Sequence, residues 1–215
     1  MISSHKKQRA GSIFCVLLLL ISISFSGCQK KDEDGKWLYT GEQRSAIEAL
    51  YRKKMPDVLA EFQLEESDLY YRGDTLGWWE LPEPVSIEGK DFYEELLFDI
   101  SKENKDTFYG VLFISHVTDA EELPGYIDGL VKKITAAYGE PTTYPGILHR
   151  LTLEDFLSKI VDAMKEGTSL SWHEEWDDGE KTICTLTVNM LEMHVARITY
   201  EFKMRNPRVG WQNAD

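Results

Sequence analysis

A histidine and two carboxylates stand side by side at His173, Glu174 and Glu175, followed by Trp176 and Asp177. A helix that presents two histidines four residues apart can bind zinc, with a glutamate beside the first histidine acting as general base. Asp177 occupies the place of the second histidine. The segment also alternates as a strand does, which sends His173 and Glu174 to opposite faces. The pattern therefore does not predict a zinc site, and a structural or solvated histidine is the preferred interpretation.

Two groups of carboxylates have the composition of a calcium loop. Asp177, Asp178 and Glu180 flank a glycine, and residues 32–35 read Asp-Glu-Asp-Gly. Neither group matches the twelve-residue spacing of calcium-binding loops. A hairpin turn and a solvated tether explain these acids more simply, because turns require aspartate and glycine.

Recognisable catalytic patterns are missing from the rest of the sequence. It has no Gly-x-Ser-x-Gly nucleophile turn, no glycine-rich phosphate loop and no dinucleotide fingerprint. Three further histidines lack the spacing of metal ligands; they are His116, His149 and His194. The sequence therefore predicts no catalytic residue, no metal and no cofactor, and it favours a protein that is not an enzyme.

Tryptophan supplies the candidate contact residues. Trp78 and Trp79 are adjacent, while Trp172 and Trp176 fall on one strand face with Glu174 between them. Aromatic rings beside a carboxylate can hold a sugar or a peptide, and tryptophan is enriched where binding energy is concentrated. Core packing is the alternative, because sheets favour large aromatic side chains. In a strand, Trp78 and Trp79 must point to opposite faces, and the exposed one is the predicted contact residue.

The first 27 residues have the layout of a secretory signal. Lys6, Lys7 and Arg9 precede an apolar run at residues 13–23, and small residues follow it. A bilayer helix needs about 20 apolar residues, so this run is too short to span a membrane. We predict that residues 1–27 are removed and take no part in the fold.

Cys28 follows this segment directly. Ser26, Gly27 and Cys28 after an apolar residue resemble the lipobox of bacterial lipoproteins, which are acylated on the cysteine sulfur and cleaved just before it. Phe25 departs from that pattern, which prefers leucine. The resemblance implies that Cys28 begins the mature chain and carries a diacylglyceryl group, and two acyl chains anchor durably where one binds marginally. The expected location is the cell membrane or envelope, on the extracytoplasmic side.

Charge and cysteine usage agree with export. The formal net charge is -13, and the three basic residues of the signal are lost on cleavage. A strongly acidic domain is repelled by phosphates, so nucleic acid is excluded as a partner. After cleavage and acylation only Cys184 keeps a thiol, so the mature chain cannot form an internal disulfide. The fold must be held by its core.

A tether and a helical region follow Cys28. Residues 28–36 lack periodic apolar side chains and are predicted to be a tether, with a single domain over residues 37–215. Thr40 and Gln43 form a capping-box pattern ahead of a helix that should end before Pro56. A second, short helical turn is predicted from the apolar spacing that follows; it includes Val58, Leu59 and Phe62.

Two longer helices are predicted in the middle of the chain. The first ends at Gly139, and it begins either at a capping box headed by Thr118 or near Pro124, which a first turn tolerates. The second is capped by Thr152 and ends at Gly167. Each carries apolar residues at helical spacing on one face.

Strands surround these helices. Residues 92–100 and 108–114 alternate and are predicted to form a hairpin with one buried face, joined by the polar residues 102–106. Pro82 and Pro84 cannot donate to a ladder, so their segment should be a loop or a sheet edge. Three C-terminal strands are predicted at residues 169–176, 181–190 and 194–202, and an Asp-Gly turn joins the first two.

Helices segregated from antiparallel hairpins predict an α+β domain with the helices packed on one face of the sheet. The chain resembles small uncharacterised envelope lipoproteins in a pattern that consists of Leu130, residues 138–141, Trp172 and residues 198–200. This resemblance implies no activity. We expect a noncatalytic, lipid-anchored envelope protein that is attached to the membrane through Cys28 and presents a binding face to a protein, peptide or glycan. The alternative is a tethered hydrolase of envelope polymers that uses paired carboxylates.

Overall fold

The computed structural model describes residues 36–71, 77–99, 106–142, 151–177, 179–191 and 194–205. They belong to one compact unit, Asp32–Asp215. The predicted signal, Cys28 and nearly all of the predicted tether lie outside the described residues.

Within these ranges the chain forms helices and strands in the proportions of an α+β domain. The α-helices are α1 (Gly41–Leu50), α2 (Met55–Phe62), α3 (Leu123–Tyr138) and α4 (Leu153–Glu166), with 3-10 turns at Lys36–Leu38 and Glu66–Asp68. The strands are β1 (Tyr70–Tyr71), β2 (Gly77–Glu80), β3 (Val85–Ile87), β4 (Lys90–Asp99), β5 (Thr107–Val117), β6 (Ser171–Asp177), β7 (Thr182–Leu191) and β8 (Val195–Met204).

The helix ends follow the sequence signals in most cases. The Thr152 hydroxyl accepts the N–H of Asp155 at 3.1 Å, and α4 ends at Gly167 in the left-handed conformation. Helix α3 begins at Leu123 with Pro124 in its first turn, which decides between the two predicted starts. Thr40 stands at the N-cap of α1, but its side chain makes no capping hydrogen bond, so the predicted capping box is wrong.

The strands form one antiparallel sheet in the order β1-β2-β4-β5-β8-β7-β6, and β3 also pairs with β4. Pro82 and Pro84 lie in the irregular segment between β2 and β3, as predicted for residues that cannot donate to a ladder. Helix residues and alternate strand residues form one apolar cluster, which defines the first face of the sheet. The predicted fold class, with helices on one face, is confirmed.

The second face, opposite the described helices, carries a separate small cluster of Leu97, Leu112 and Ile114. These side chains lie there because the β4–β5 register shifts at Leu97/Phe98: Leu97 pairs with Gly110, while Phe98 pairs with Phe108. This bulge reverses the alternation along β5, so Leu112 and Ile114 do not share a face with Phe108.

The hairpin was predicted to have one buried face, and that prediction is wrong. Both faces of β4 are buried from Glu94 to Asp99. Glu95 and Asp99, which the alternation marks as polar and outward, are 1% and 4% exposed.

Candidate functional site

Two of the tryptophans that were candidate contact residues lie in the core. Trp172 and Trp176 are 3% and 1% exposed and belong to the apolar cluster under the helices. The Trp172 ring stacks on Phe156 of α4, with ring centroids 5.8 Å apart. The Trp176 indole N–H donates to the Thr135 hydroxyl of α3 at 3.3 Å. Core packing, the alternative interpretation, accounts for both rings, and Glu174 lies between them on the same face.

The other tryptophan pair lies on β2. Trp79 pairs with Leu96 and is partly buried against the core cluster. Trp78 pairs with Leu97 in the register, and its side chain lies outside what the structure describes. The candidate Cys28 likewise lies outside the described residues.

The His173 segment forms β6, so His173 and Glu174 do project to opposite faces. Within the described ranges, no group of three or more His, Cys, Asp or Glu side chains is placed to hold a metal ion. An Asp177 carboxylate oxygen accepts the Gly179 N–H at 2.8 Å and lies 3.1 Å from the Arg205 guanidinium. These contacts support the turn interpretation over a calcium loop.

Most of the shifted pKa values belong to one buried group of phenols and a thiol. Burial raises the pKa of Tyr39, Tyr51, Tyr138 and Tyr200 above the usual value for tyrosine, and it raises the pKa of Cys184 to about 12. A nucleophilic cysteine needs a lowered pKa, because the thiolate is the reactive form. Cys184 is therefore an inert core residue.

An ion pair on α1 borders this group, since the Arg44 guanidinium carbon lies 5.8 Å from the centroid of the Tyr138 ring. The Arg44 guanidinium donates to the Glu48 carboxylate at 2.7 Å, and the Thr182 hydroxyl of β7 donates to it at 2.8 Å. Burial opposes ionisation of Glu48, but these two hydrogen bonds and the positive charges of Arg44 and Lys181 together outweigh it and lower the pKa of the carboxyl. The Tyr51 and Thr182 hydroxyls lie 3.2 Å apart. The network joins α1 to the sheet, which is a structural role.

Polar side chains of the second face line up across neighbouring strands. One such line crosses β5, β8, β7 and β6, and each residue is the register partner of the next. We call it the Arg197 row, and it contains His116, Arg197, Asn189 and Ser171. His116 and Ser171 are exposed, and the other two are half-buried. Guanidinium, imidazole, amide and hydroxyl groups can all donate hydrogen bonds to a bound ligand.

The adjacent row joins an aromatic ring to hydroxyl groups. Tyr93 is 43% exposed and is the large apolar side chain most open to solvent in the described chain. The row runs across five strands through Tyr93, Ile114, Thr199, Thr187 and His173. A His173 ring nitrogen and the Thr187 hydroxyl are 2.8 Å apart. A ring beside such groups can stack on a sugar or an apolar side chain while neighbours bind its polar groups.

A third row carries several acids of this face. It contains Glu80, Glu95, Leu112, Glu201, Thr185 and Glu175. Lys203 and the Thr185 hydroxyl both donate to the Glu201 carboxylate. The second face thus has an acidic row and a row with a single cation, Arg197, and an uncharged row lies between them.

Sequence reasoning missed Arg197, Asn189, Thr199 and Thr187, because strand pairing brings them together and local spacing does not. Comparison with protein-family models, curated proteins and solved structures found no match to this chain. None of the described helices combines the length and the apolar character needed to cross a bilayer. The second face and the N-terminal sequence are therefore the features of this chain that bear on its function.

Proposed function

We propose that this chain is a noncatalytic, lipid-anchored protein of the cell envelope, whose second sheet face binds a protein, peptide or glycan. The observation that carries the proposal is the partly exposed surface formed by Tyr93 and the Arg197 row, on the face opposite the described helices. The acyl groups on Cys28 are the expected attachment to the membrane.

The short stretch of chain between Cys28 and the first buried residue supports attachment at Cys28. Trp37 is buried, and its ring packs edge-on against Tyr200 with centroids 5.0 Å apart. Residues 28–36 can span at most about 30 Å when fully extended. A domain held in this way would stay close to the bilayer, so its partner must reach the membrane surface.

Anchoring is tested by cell fractionation and intact-protein mass spectrometry. The mature chain should begin at Cys28, carry the mass of a diacylglyceryl group and sediment with membranes. Cys28→Ala should lose the modification and the membrane association. Cys15→Ala is the matched control, because Cys15 lies inside the predicted signal and its loss should change neither result. An unmodified, uncleaved wild-type chain would refute the anchoring part.

Binding is tested by cross-linking the chain in its native membrane and measuring the partner that co-purifies. Tyr93→Ala should lower the recovered partner at least fivefold, because aromatic contact residues concentrate binding energy. Lys132→Ala on α3 is the control, since its side chain is 74% exposed and lies on a helix of the first face. Equal recovery from both variants would contradict a binding role for the second face.

One observation favours the alternative of a tethered hydrolase. Glu80 and Glu95 are directly paired across β2 and β4, so their Cβ atoms are about 5 Å apart. Retaining glycosidases hold two carboxyl groups at about 5 to 5.5 Å. Glu95 is only 1% exposed, which prevents contact with a polymer in this conformation, so we place this function second. Turnover of purified envelope glycan that Glu95→Gln abolishes would reverse the order.

A further inference from the structure

Arg197 is the unusual member of the second face. Its Nε atom is buried and has no hydrogen-bond partner among the residues that the structure describes. Buried polar groups in proteins are nearly always hydrogen-bonded, and a buried cationic donor without a partner is costly. Arg197 as a whole is only half-buried, and none of the ion pairs between described residues includes it. Because Nε is closed to solvent, a ligand would have to meet the guanidinium at its Nη atoms.

The side chains paired with Arg197 are donors or neutral groups. His116 stands opposite it on β5 and Asn189 on β7, and Thr199 is the next residue of β8 on the same face. Glu201, the acid farther along β8, is about 13 Å away along the strand and is held by Lys203 and Thr185. The surroundings of Arg197 are therefore suited to an incoming anion.

The geometry points to an oxyanion site at Arg197, which binds the carboxylate or phosphate of an envelope ligand. This inference rests on the proposed binding role of the second face and specifies its ligand. Arginine presents a planar fork of donors that matches a carboxylate or phosphate, and such charge-assisted hydrogen bonds are about twice as strong as neutral ones. Asn189 supplies a further donor beside the fork.

Tyr93 extends the site toward a larger ligand. It lies in the neighbouring row, paired with Ile114, which is in turn paired with Thr199. A sugar ring that stacked on Tyr93 could place an attached acidic group near Arg197, whose backbone is two strands and one row away, or about 12 Å. An acidic saccharide therefore fits both features, while a free phosphate would use Arg197 alone.

Isothermal titration of the full chain, purified from membranes in a nonionic detergent, tests the site. The probes are inorganic phosphate, glucuronate and uncharged glucose. Both anions should bind and glucose should not. Tighter binding of glucuronate that depends on Tyr93 would identify a carboxylated sugar as the source of the oxyanion, and equal binding would identify the anion alone.

Variants of two cations on β8 decide the assignment. Arg197→Gln should weaken anion binding at least tenfold, because a hydrogen bond to a charged group is lost. Lys203→Gln should change it less than twofold, because Lys203 is already paired with Glu201. Arg197→Lys keeps the charge but not the fork, so its affinity should fall between wild type and Arg197→Gln.

Three results would overturn the inference: neither anion binds the wild type, the two glutamine variants weaken binding equally, or Arg197→Gln binds as wild type does. If Arg197→Gln fails to fold, Arg197→Lys and Asn189→Ala must still weaken binding, or the site is refuted. Partner recovery that depends on Tyr93 but not on Arg197 would leave the proposed function standing without this site.

Discussion

Gly110 shows how one residue sets the register of the sheet. A Cβ atom added there would lie 2.7 Å from the Phe202 carbonyl oxygen and 2.9 Å from the Lys203 Cα atom. Both contacts are with backbone or with atoms fixed to it, so β8 would have to move. The glycine sits at the β5 bulge, and only a residue without a side chain allows the two strands to approach this closely.

Gly110→Ala should therefore destabilise the domain by about 1 to 3 kcal/mol, the usual cost of forcing extra volume into a packed site. Urea denaturation measures the effect. Gly125→Ala is the control, because a Cβ at that helical position meets nothing within 4 Å. Alanine should be neutral or stabilising there. Equal urea midpoints for the two variants would contradict the close approach of β5 and β8 at Gly110.

The buried thiol and phenols make stability sensitive to alkaline pH. The pKa of Cys184 is about 12 in the folded chain and 9.0 at its reference value, so the unfolded chain loses this proton first. The stability that the protonated Cys184 thiol contributes to the folded state is fully present below about pH 9 and is lost as the pH rises toward 12. The tyrosines add to the loss above pH 10, because their pKa values are also raised.

The free energy of unfolding should be level below pH 9 and then fall, by up to about 1.4 kcal/mol per pH unit for each group that titrates. Chemical denaturation at pH 7 to 11 measures it. Cys184→Ala should remove the fall between pH 9 and 10, where the tyrosines of the unfolded chain are still protonated. A profile that rises with pH would contradict the burial of this group.

At the scale of elements, local signals predicted most boundaries. Thr152, Gly139 and Gly167 mark helix ends because capping and positive φ depend on one or two residues. The bulge in β5 could not be predicted, since it depends on how β4 and β8 pair with that strand. Every position after the bulge changes face, which is why the alternation along residues 108–114 does not place Leu112 and Ile114 on the opposite face from Phe108, where the structure has them.

The two N-cap threonines provide a test at this scale. Thr152→Ala removes a hydrogen bond to the Asp155 N–H and should cost about 1 kcal/mol of stability. Thr40→Ala removes no capping hydrogen bond, so it should lower the stability by only about a few tenths of a kcal/mol or less. Thermal and urea unfolding of both variants compare the caps. A larger loss at Thr40 would show that α1 is capped by the box that its sequence suggests.

For the whole molecule, the sequence predicted the α+β class, because local periodicity separates the helices from the hairpins. The signal pattern and the acidic charge predict a lipid-anchored protein, and that remains a prediction. The second-face site depends on residues from β5, β7 and β8 that lie up to about 80 positions apart, such as His116 and Arg197. Tryptophan, the strongest sequence signal for contact, marked the core at Trp172 and Trp176.

A count of reactive thiols tests the predicted lipid anchor and the buried core in one measurement. The precursor contains 3 cysteines. The predicted cleavage would remove Cys15, and the predicted acylation would convert Cys28 to a thioether, so the mature chain should retain one thiol at Cys184. That thiol is buried and should not react with an aromatic disulfide reagent at pH 8 until the chain is unfolded in guanidinium, because its thiolate is disfavoured. Two reactive thiols per unfolded mature chain would mean that Cys28 is unmodified, whereas one thiol that reacts without denaturant would place Cys184 outside the core.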